Sequence, residues 1–579
     1  MSVSKSRALR IGVLAIVSLL VALCSSAAAA EVTQTQTFRA SDGVALHVIV
    51  RGQEPLSPRP LVVEFTPYAQ TDTMWKFGPA YNRVTVQVRG TGLSDGQWDA
   101  IGPRDQKDVS EALGWLCGQN YSNRHIGVFG FSASAMAAYN SMKLPMPCVD
   151  AAALGAGSNS LYRDLLYPGG IPNLIPTLAV GFGVGVPGLG ANISGEGSLP
   201  RVVNSLAGLL TIGYNFLTRP TEDSWWQGHN FGPGPNTFPV LAATGFYDVE
   251  SRGAFENYKL LANTNPGSKL LVQGAHDGSP SNLPTPFTEY ERWFDRYVRG
   301  ESNGAESEPN VRLYLGNGGH PDLRAGRWTR VDGSAWPVPG TRWQSLYLSN
   351  GRIGDAWASR NDGALAAAPP SGPWWWRDMP SSADYPAVSS LVLASDINTV
   401  ATVGDIATLP LISQINGADP ASNTFTTPTF SHDVKTAGPA ALDVWLSSTA
   451  NETDIHAVIA DVHPNGNAYP VSQGRLRTSF PNVIGSRSVK DSHGDIVQPY
   501  NDFSAKNYAI PLIARRYRVE FWPIGNNFKA GHRLRLYLMG TSPLMLPPAI
   551  GVNNVWMGNT MPSRLLLPVL PGSGDAPRF

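Results

Sequence analysis

A chain of 579 residues exceeds the roughly 250–300 residues at which a single hydrophobic core stops growing, so two or three structural units are expected. Forty-four basic residues balance forty-four acidic ones, which excludes a global field that would draw the protein to nucleic acid or to an anionic membrane surface. Charged residues make up only 15%, and 59 glycines and 47 prolines favour frequent turns and much β structure.

The N-terminus carries Lys5, Arg7 and Arg10, then an apolar run over 11–23, then small residues to Ala30. That basic, apolar, small-residue order is the pattern of a secretory signal peptide, and Ala28 and Ala30 fit its cleavage site, which makes Glu31 the first mature residue. A retained membrane anchor is the alternative. Leu23 stands where lipid modification of Cys24 would need a small residue. Export leaves Cys117 and Cys148 as an even pair in an oxidising compartment, which permits one disulfide.

Residues 41–170 alternate short β-branched runs (44–50, 61–65, 84–88, 126–129 and 151–154) with helical patterns, the signature of a mostly parallel sheet. Between the third and fourth runs Val109, Ala112, Leu113 and Leu116 share one helical face, which predicts a crossover helix. Cys117 ends that helix and Cys148 follows the helix after 126–129, and a doubly wound sheet puts those neighbouring helix ends on one side.

The pattern lapses over 158–229, where an apolar, Gly-rich run at 178–199 reads as an inserted cap over a pocket. It resumes with strands at 239–244 and 269–272 and a charged helix at 289–298. Beyond 308 short alternating runs at 312–314, 442–445, 457–462 and 534–538, separated by Gly, Pro and Asn, predict an all-β sandwich. The Ala/Pro-rich stretch 363–376 reads as a surface connection, and no internal repeat interrupts the pattern.

Chemistry enters at the end of the fourth run, where the strand Ile126-Gly127-Val128-Phe129 leads into Gly130-Phe131-Ser132-Ala133-Ser134 and then a helix. This is the strand, sharp turn, helix context of a nucleophile elbow, in which small residues two before and two after the nucleophile let strand and helix pass. Gly130 and Ser134 meet that need around Ser132. Asp248 closes the run 239–248 and His276 follows the run 269–272, so both stand at the carboxyl ends of predicted strands, where open α/β sheets build their sites.

A serine hydroxyl is a poor nucleophile until an imidazole takes its proton, and the imidazole needs a carboxylate to fix its tautomer. Ser132, Asp248 and His276 fill these roles in the chain order of α/β-hydrolases. Singly, Asp248 reads as a turn residue and His276 as a loop residue; of the ten histidines, only His276 follows both Ser132 and Asp248 directly after an apolar strand within the α/β portion. His456 and His463 are seven apart in a strand region without a paired-Cys or HExxH motif, so no metal and no cofactor are expected.

With the elbow in view, the chain resembles the CocE/NonD hydrolases over nearly its whole mature length. The markers are Thr66-Pro67-Tyr68, Arg89-Gly90-Thr91-Gly92-Leu93-Ser94, the Ser132 elbow, Tyr167-Pro168-Gly169-Gly170, Gly245-Phe246-Tyr247-Asp248 and Arg292-Trp293-Phe294-Asp295. Asp461-Val462-His463-Pro464-Asn465-Gly466, Gly474-Arg475-Leu476-Arg477 and Gly531-His532-Arg533-Leu534-Arg535 are similar to the family's C-terminal jelly-roll domain. The resemblance implies that Tyr68 donates its hydroxyl to the oxyanion, with the Ala133 backbone N–H as second donor. Ala133 stands where the family usually has Tyr, Gln70 where Lys is common, and the approach Gly274-Ala275-His276 is short, so substrate identity does not carry over.

The expected layout is a signal peptide over 1–30, an α/β-hydrolase core over 31–157 and 230–307 interrupted by a helical cap over 158–229, and a β-sandwich of jelly-roll type over 308–579. The expected activity is acyl transfer through Ser132 on a small ester, an amide or a short peptide, with no nucleic-acid partner and no membrane span once the signal is removed. An Xaa-Pro type aminopeptidase would use the same triad plus an acid to hold the substrate amine. A secreted binding protein with an idle triad is the rival of a different class.

Overall fold

The computed structural model describes residues 30–68, 76–173, 199–274, 276, 278–371, 374–380, 414–540, 545, 548–549 and 551–573. The expected signal segment, apart from Ala30, and the cap run 178–199, apart from Leu199, lie outside the described residues.

Strands covered on both faces have no solvent side to keep polar, and β3 (Arg59–Thr66) sits between β4 (Asn82–Gln87) and further parallel strands of its sheet. Leu61, Val62, Val63 and Phe65 are all buried, each contributing about 1.5–3 kcal/mol relative to exposure. β1 (Glu31–Arg39) and β2 (Ala45–Gln53) form an antiparallel hairpin at the sheet's end, and there the burial of β2 alternates through Leu46, Val48 and Val50.

The other core strands are β5 (Ser122–Phe131), β6 (Val149–Gly155), β7 (Val240–Thr244), β8 (Lys269–Val272) and β9 (Val311–Gly316). The order runs β1-β2-β4-β3-β5-β6-β7-β8-β9, with parallel pairing from β4 through to β9. The chain leaves β3 towards β4 on one side and leaves β5 towards β6 on the other. β3 and β5 therefore flank the point where the order reverses, the place at which such sheets open a crevice at their carboxyl ends.

The crossover helix α1 (Pro103–Cys117) buries Val109, Ala112, Leu113 and Leu116 as its spacing predicts, and stops at Gly118. Helix α2 (Ala133–Ser141) follows the elbow, and Cys117 and Cys148 form a disulfide with their Cα atoms 6.0 Å apart. In the cap, α3 (Leu199–Thr218) docks on the loop after β4, where Ser205 Oγ donates to the Gly90 carbonyl at 3.0 Å and Arg201 pairs with Asp95 at 2.7 Å. Gly208 lets this helix close on Trp98, since a Cβ there would stand 3.1 Å from the Trp98 nitrogen. A short helix, α4 (Ser224–Gly228), completes the described cap, and α5 (Ser251–Thr264) and α6 (Pro286–Tyr297) cover the sheet.

One expectation is corrected and one boundary is bridged. The hydrolase sheet runs past the boundary drawn between 307 and 308, because β9 pairs parallel with β8 and β10 (Trp328–Gly333) pairs antiparallel with β9. Loss of the helical period marks the end of the α/β crossovers, not of the sheet they build. The stretch 363–376 is likewise no plain surface connection, since β12 (Gly363–Ala366) and the start of β13 (Trp374–Pro380) fall in it; β11 is Arg342–Ser349. Gly363 is there because the Phe425 ring lies over it, leaving a Cβ only 2.7 Å of separation.

Among the described residues the C-terminal region forms one continuous eleven-stranded ladder folded over a common apolar core that includes Leu346, Phe425, Leu442, Ile459, Leu476, Leu536 and Leu567. Its strands are β11 to β13, β14 (Asn423–Thr426), β16 (Ala441–Ser448), β17 (Asp454–Val462), β18 (Ala468–Arg477), β21 (Arg515–Glu520), β23 (Arg533–Met539), β24 (Val552–Met557) and β25 (Arg564–Val569). The short pair β19 (Val489–Lys490) and β20 (Ile496–Gln498) stands apart. Two strands cross over: β15 (Val434–Gly438) and β22 (Ile524–Phe528) pair together and extend the hydrolase sheet beyond β9. Gly525 of β22 lies against the Phe246 ring, so the second domain buttresses the loop that carries Asp248.

Candidate active site

The elbow forms as its small residues dictate. Ser132 is held at φ 56 and ψ −125, a left-handed conformation that a residue with a Cβ adopts only under strain. At Gly130 a Cβ would come within 2.7 Å of Ala135 and Ser134 backbone, so no larger residue fits where strand and helix cross. The Ser132 N–H donates to the Gly155 carbonyl of β6 at 2.9 Å, which ties the turn to the neighbouring strand.

Tyr68 comes to the elbow from the end of β3, across the reversal point. Its hydroxyl lies 3.2 Å from Ser132 Oγ, and the Ala133 N–H points at that same hydroxyl from 3.4 Å. The Tyr68 hydroxyl and the Ala133 N–H thus lie together beside the serine oxygen. Burial raises the Tyr68 pKa, with the nearby Glu250 adding to the rise against the Ser132 hydrogen bond, so the hydroxyl stays protonated.

Asp248 follows β7 and is fully buried, with both oxygens engaged. Oδ2 accepts from His276 Nδ1 at 2.9 Å and from the His276 backbone N–H at 2.8 Å, while Oδ1 accepts from the Glu250 N–H at 2.9 Å. Burial alone would raise this carboxyl's pKa; the His276 charge and these hydrogen bonds outweigh it and hold it below the ordinary value. An ionised Asp248 accepts only, which fixes the His276 proton on Nδ1 and leaves Nε2 as the basic nitrogen. The His276 ring packs on Phe131, the residue before Ser132, with centroids 4.9 Å apart.

All five residues singled out in the sequence therefore sit at the carboxyl ends of β3, β5, β7 and β8, on one edge of the sheet. Glu250 is the addition: it lies two residues beyond Asp248, buried, with Oε2 4.0 Å from His276 Nδ1. Burial pushes its pKa up to about 8, with His276 opposing and Asp248 and Asp164 adding to the rise. Its position on the same strand-end loop was the available signal. Beneath Ala133 a cavity of about 10 Å³, lined by Pro67, Trp98, Asp105 and Ala137, is too small for a substrate.

A second cluster pairs residues far apart in sequence. His532 Nδ1 bonds Asp461 at 2.7 Å, Asn526 donates to the other Asp461 oxygen at 2.8 Å, and His463 Nε2 bonds the Gly318 carbonyl at 2.8 Å. These bonds clasp β17, β22 and β23 to the loop after β9.

Known proteins agree with this architecture. Residues 42–278 match the X-Pro dipeptidyl-peptidase (S15 family) model, and residues 303–553 match the X-Pro dipeptidyl-peptidase C-terminal non-catalytic domain. The chain is 23% identical to the cocaine esterase of Rhodococcus sp. (strain MB1 Bresler), over 91% of this chain and 97% of that one. A CocE/NonD family hydrolase from Staphylococcus aureus shares the fold with a TM-score of 0.71 at 18% identity, covering 93% of this chain and 94% of that one. An α-amino acid ester hydrolase does so with a TM-score of 0.70 at 17% identity, covering 94% and 98%. The α/β core with its elbow, the β-rich second domain and these matches agree: the chain belongs to the CocE/NonD family of serine hydrolases.

Proposed function

We propose that this protein is exported and hydrolyses an ester or amide through a covalent acyl-Ser132 intermediate. The observation that carries the reading is the convergence of the Tyr68 hydroxyl and the Ala133 N–H beside Ser132 Oγ, with His276 clamped by Asp248 on the same edge of the sheet.

Ser132 Oγ attacks the acyl carbon and its proton passes to His276 Nε2. The carbonyl oxygen becomes an oxyanion and accepts from Tyr68 and Ala133, and Asp248 stabilises the imidazolium through Nδ1–H. His276 then gives the proton to the leaving oxygen or nitrogen, which departs from the acyl-enzyme. Water, deprotonated by the same imidazole, attacks the acyl carbon and regenerates Ser132. The substrate is a small ester, an amide or a short peptide that enters beneath the cap.

Fluorophosphonate labelling of Ser132, with loss of label and turnover in Ser132→Ala, tests the reading; an unlabelled, inert wild-type protein would favour the idle binding protein. Rates on short and long acyl esters, β-lactam side-chain amides and aminoacyl-proline amides assign the acyl class, and dominance of the last would favour the peptidase form. Export is tested by locating the native protein and sequencing its N-terminus, where Glu31 is expected first.

A further inference from the structure

We propose that His463 and His532 form a binding site for a divalent transition-metal cation such as Zn²⁺, which clasps the second domain to the hydrolase sheet. Spacing along the chain does not show the pair, because His463 lies just after β17 and His532 just before β23. Folding brings their ring centroids to 4.4 Å, and one donor atom from each of Asp461, His463 and His532 lies within 4.8 Å of the others.

Each imidazole has its tautomer set from behind. The Gly318 carbonyl can only accept, so it holds the His463 proton on Nε2 at 2.8 Å, and Nδ1 keeps its lone pair. The Asp461 carboxylate holds the His532 proton on Nδ1 at 2.7 Å, which leaves the lone pair on Nε2. Neither His463 Nδ1 nor His532 Nε2 has a hydrogen-bond partner among the described residues, and neither is a buried orphan. Both rings line one open cleft of about 570 Å³, together with Trp328, Asp322, Arg327 and Lys529. An imidazole whose far nitrogen donates to a carboxylate or a backbone carbonyl is oriented and made more basic, which is how metal-binding histidines are held.

The charges around the cleft favour a cation. Arg327 is paired with Asp322 and Lys529 with Asp433, so both cations on the rim are neutralised. Asp461 is fully buried, its other oxygen accepts from the Asn526 amide at 2.8 Å, and no Lys or Arg among the described residues pairs with it. A buried carboxylate held by neutral donors alone lacks a countercharge, and a divalent cation on His532 Nε2 supplies one through the ring. Two imidazoles suit zinc, copper or nickel rather than magnesium or calcium, with water filling the remaining positions. Metal bound here would fasten β17 and β23 to the loop after β9, whose His320 ring packs 4.9 Å from that of Tyr247, the neighbour of Asp248.

The test titrates Zn²⁺ calorimetrically into the full chain after chelator treatment, and records electron paramagnetic resonance of its Cu²⁺ complex at equal concentrations of metal and protein. Wild type is compared with His463→Gln, His532→Gln, Asp461→Asn and His276→Ala. Wild type is expected to take up a single zinc ion and to show two imidazole nitrogens on copper. His463→Gln and His532→Gln should each leave one such nitrogen, and these two variants and Asp461→Asn should weaken zinc binding at least about tenfold. His276→Ala should bind as wild type does, which separates this site from the Asp248, Glu250 and His276 cluster. Zinc should raise the melting temperature of wild type and leave that of His463→Gln unchanged. No zinc uptake by wild type, as when His532 meets Asp461 simply by taking a proton, overturns the proposal. So do fewer than two imidazole nitrogens on wild-type copper, or zinc lost in His276→Ala and kept in His463→Gln. The wild-type measurements decide even where a variant fails to fold.

Discussion

Asp248 Oδ2 receives two hydrogen bonds from one residue, the ring Nδ1 of His276 at 2.9 Å and its backbone N–H at 2.8 Å. The carboxylate thereby fixes the loop as well as the tautomer. Asp248→Asn presents a side chain that can donate to Nδ1, which moves the ring proton to Nε2 and leaves that nitrogen unable to accept the serine proton. A kcat loss on the order of 10⁴ is expected with folding intact. Asp248→Ala should in addition lower melting, because the backbone N–H groups of His276 and Glu250 lose their acceptor. Comparing kcat and melting across the two variants separates the functions.

Strain at the nucleophile makes a prediction independent of turnover. At φ 56 and ψ −125, Ser132→Ala keeps a Cβ and its penalty, whereas Ser132→Gly removes it. Relief of backbone strain, on the order of 1–3 kcal/mol, exceeds the extra chain entropy of glycine, so Ser132→Gly should be more stable than Ser132→Ala by about 1 kcal/mol. Equal denaturant midpoints would falsify the account of the elbow as a strained turn.

The edge that carries the candidate site was legible because strand ends carry it. Runs such as 61–65 and 126–129 are apolar but for Glu64, so their ends could be placed and Ser132, Asp248 and His276 read from position. Helix ends on one side of the sheet permitted the Cys117–Cys148 disulfide, and the structure closes it. What escaped were relations without a local pattern. β15 and β22 join the hydrolase sheet from more than 100 residues downstream of β9, and nothing in their period-2 sequence says which sheet they extend. Tyr68 was assigned by family resemblance, since a tyrosine after a strand is otherwise an ordinary core residue. Glu250 was passed over because a carboxyl two residues from Asp248 reads as a solvated turn until its burial is seen.

The Cys117–Cys148 disulfide closes a span of 31 residues between the end of α1 and the start of β6. On the chain-entropy model a loop of this size is worth about 3–4 kcal/mol. Oxidised mature protein should show no titratable thiol, and the Cys117→Ser/Cys148→Ser double variant should unfold at lower denaturant. Two reactive thiols in protein recovered from an oxidising compartment would contradict the pairing.

Glu250 also sets an alkaline limit on stability. Its folded-state pKa is raised from 4.5 to about 8, so its contribution to stability is full below about 4.5 and is lost as pH rises through 8. Across that window wild type should lose up to about 1.4 kcal/mol per pH unit relative to Glu250→Gln, which has no proton to give up. Melting curves of both proteins at about pH 5, 7 and 9 should diverge with rising pH, and parallel curves would show that folding does not raise the Glu250 pKa.

Tyr68 presents its hydroxyl 3.2 Å from Ser132 Oγ, and the Ala133 N–H approaches the same hydroxyl at 3.4 Å. In the substrate complex both donors turn to the carbonyl oxygen, and a phenol bonds a charged tetrahedral oxygen more strongly than a neutral carbonyl. Tyr68→Phe should therefore slow acylation by on the order of 10² to 10³ with little change in substrate affinity. The loss belongs in kcat, because the missing bond is made chiefly in the transition state. A tyrosine that merely filled the core would behave differently. Removing its hydroxyl would lower stability by roughly 1 kcal/mol and leave turnover per folded molecule unchanged. Active-site titration with a fluorophosphonate counts the competent molecules, so kcat and melting can be taken from one preparation. If melting falls while kcat per labelled serine holds, Tyr68 is structural, and the second donor to the oxyanion comes from another group on the crevice edge.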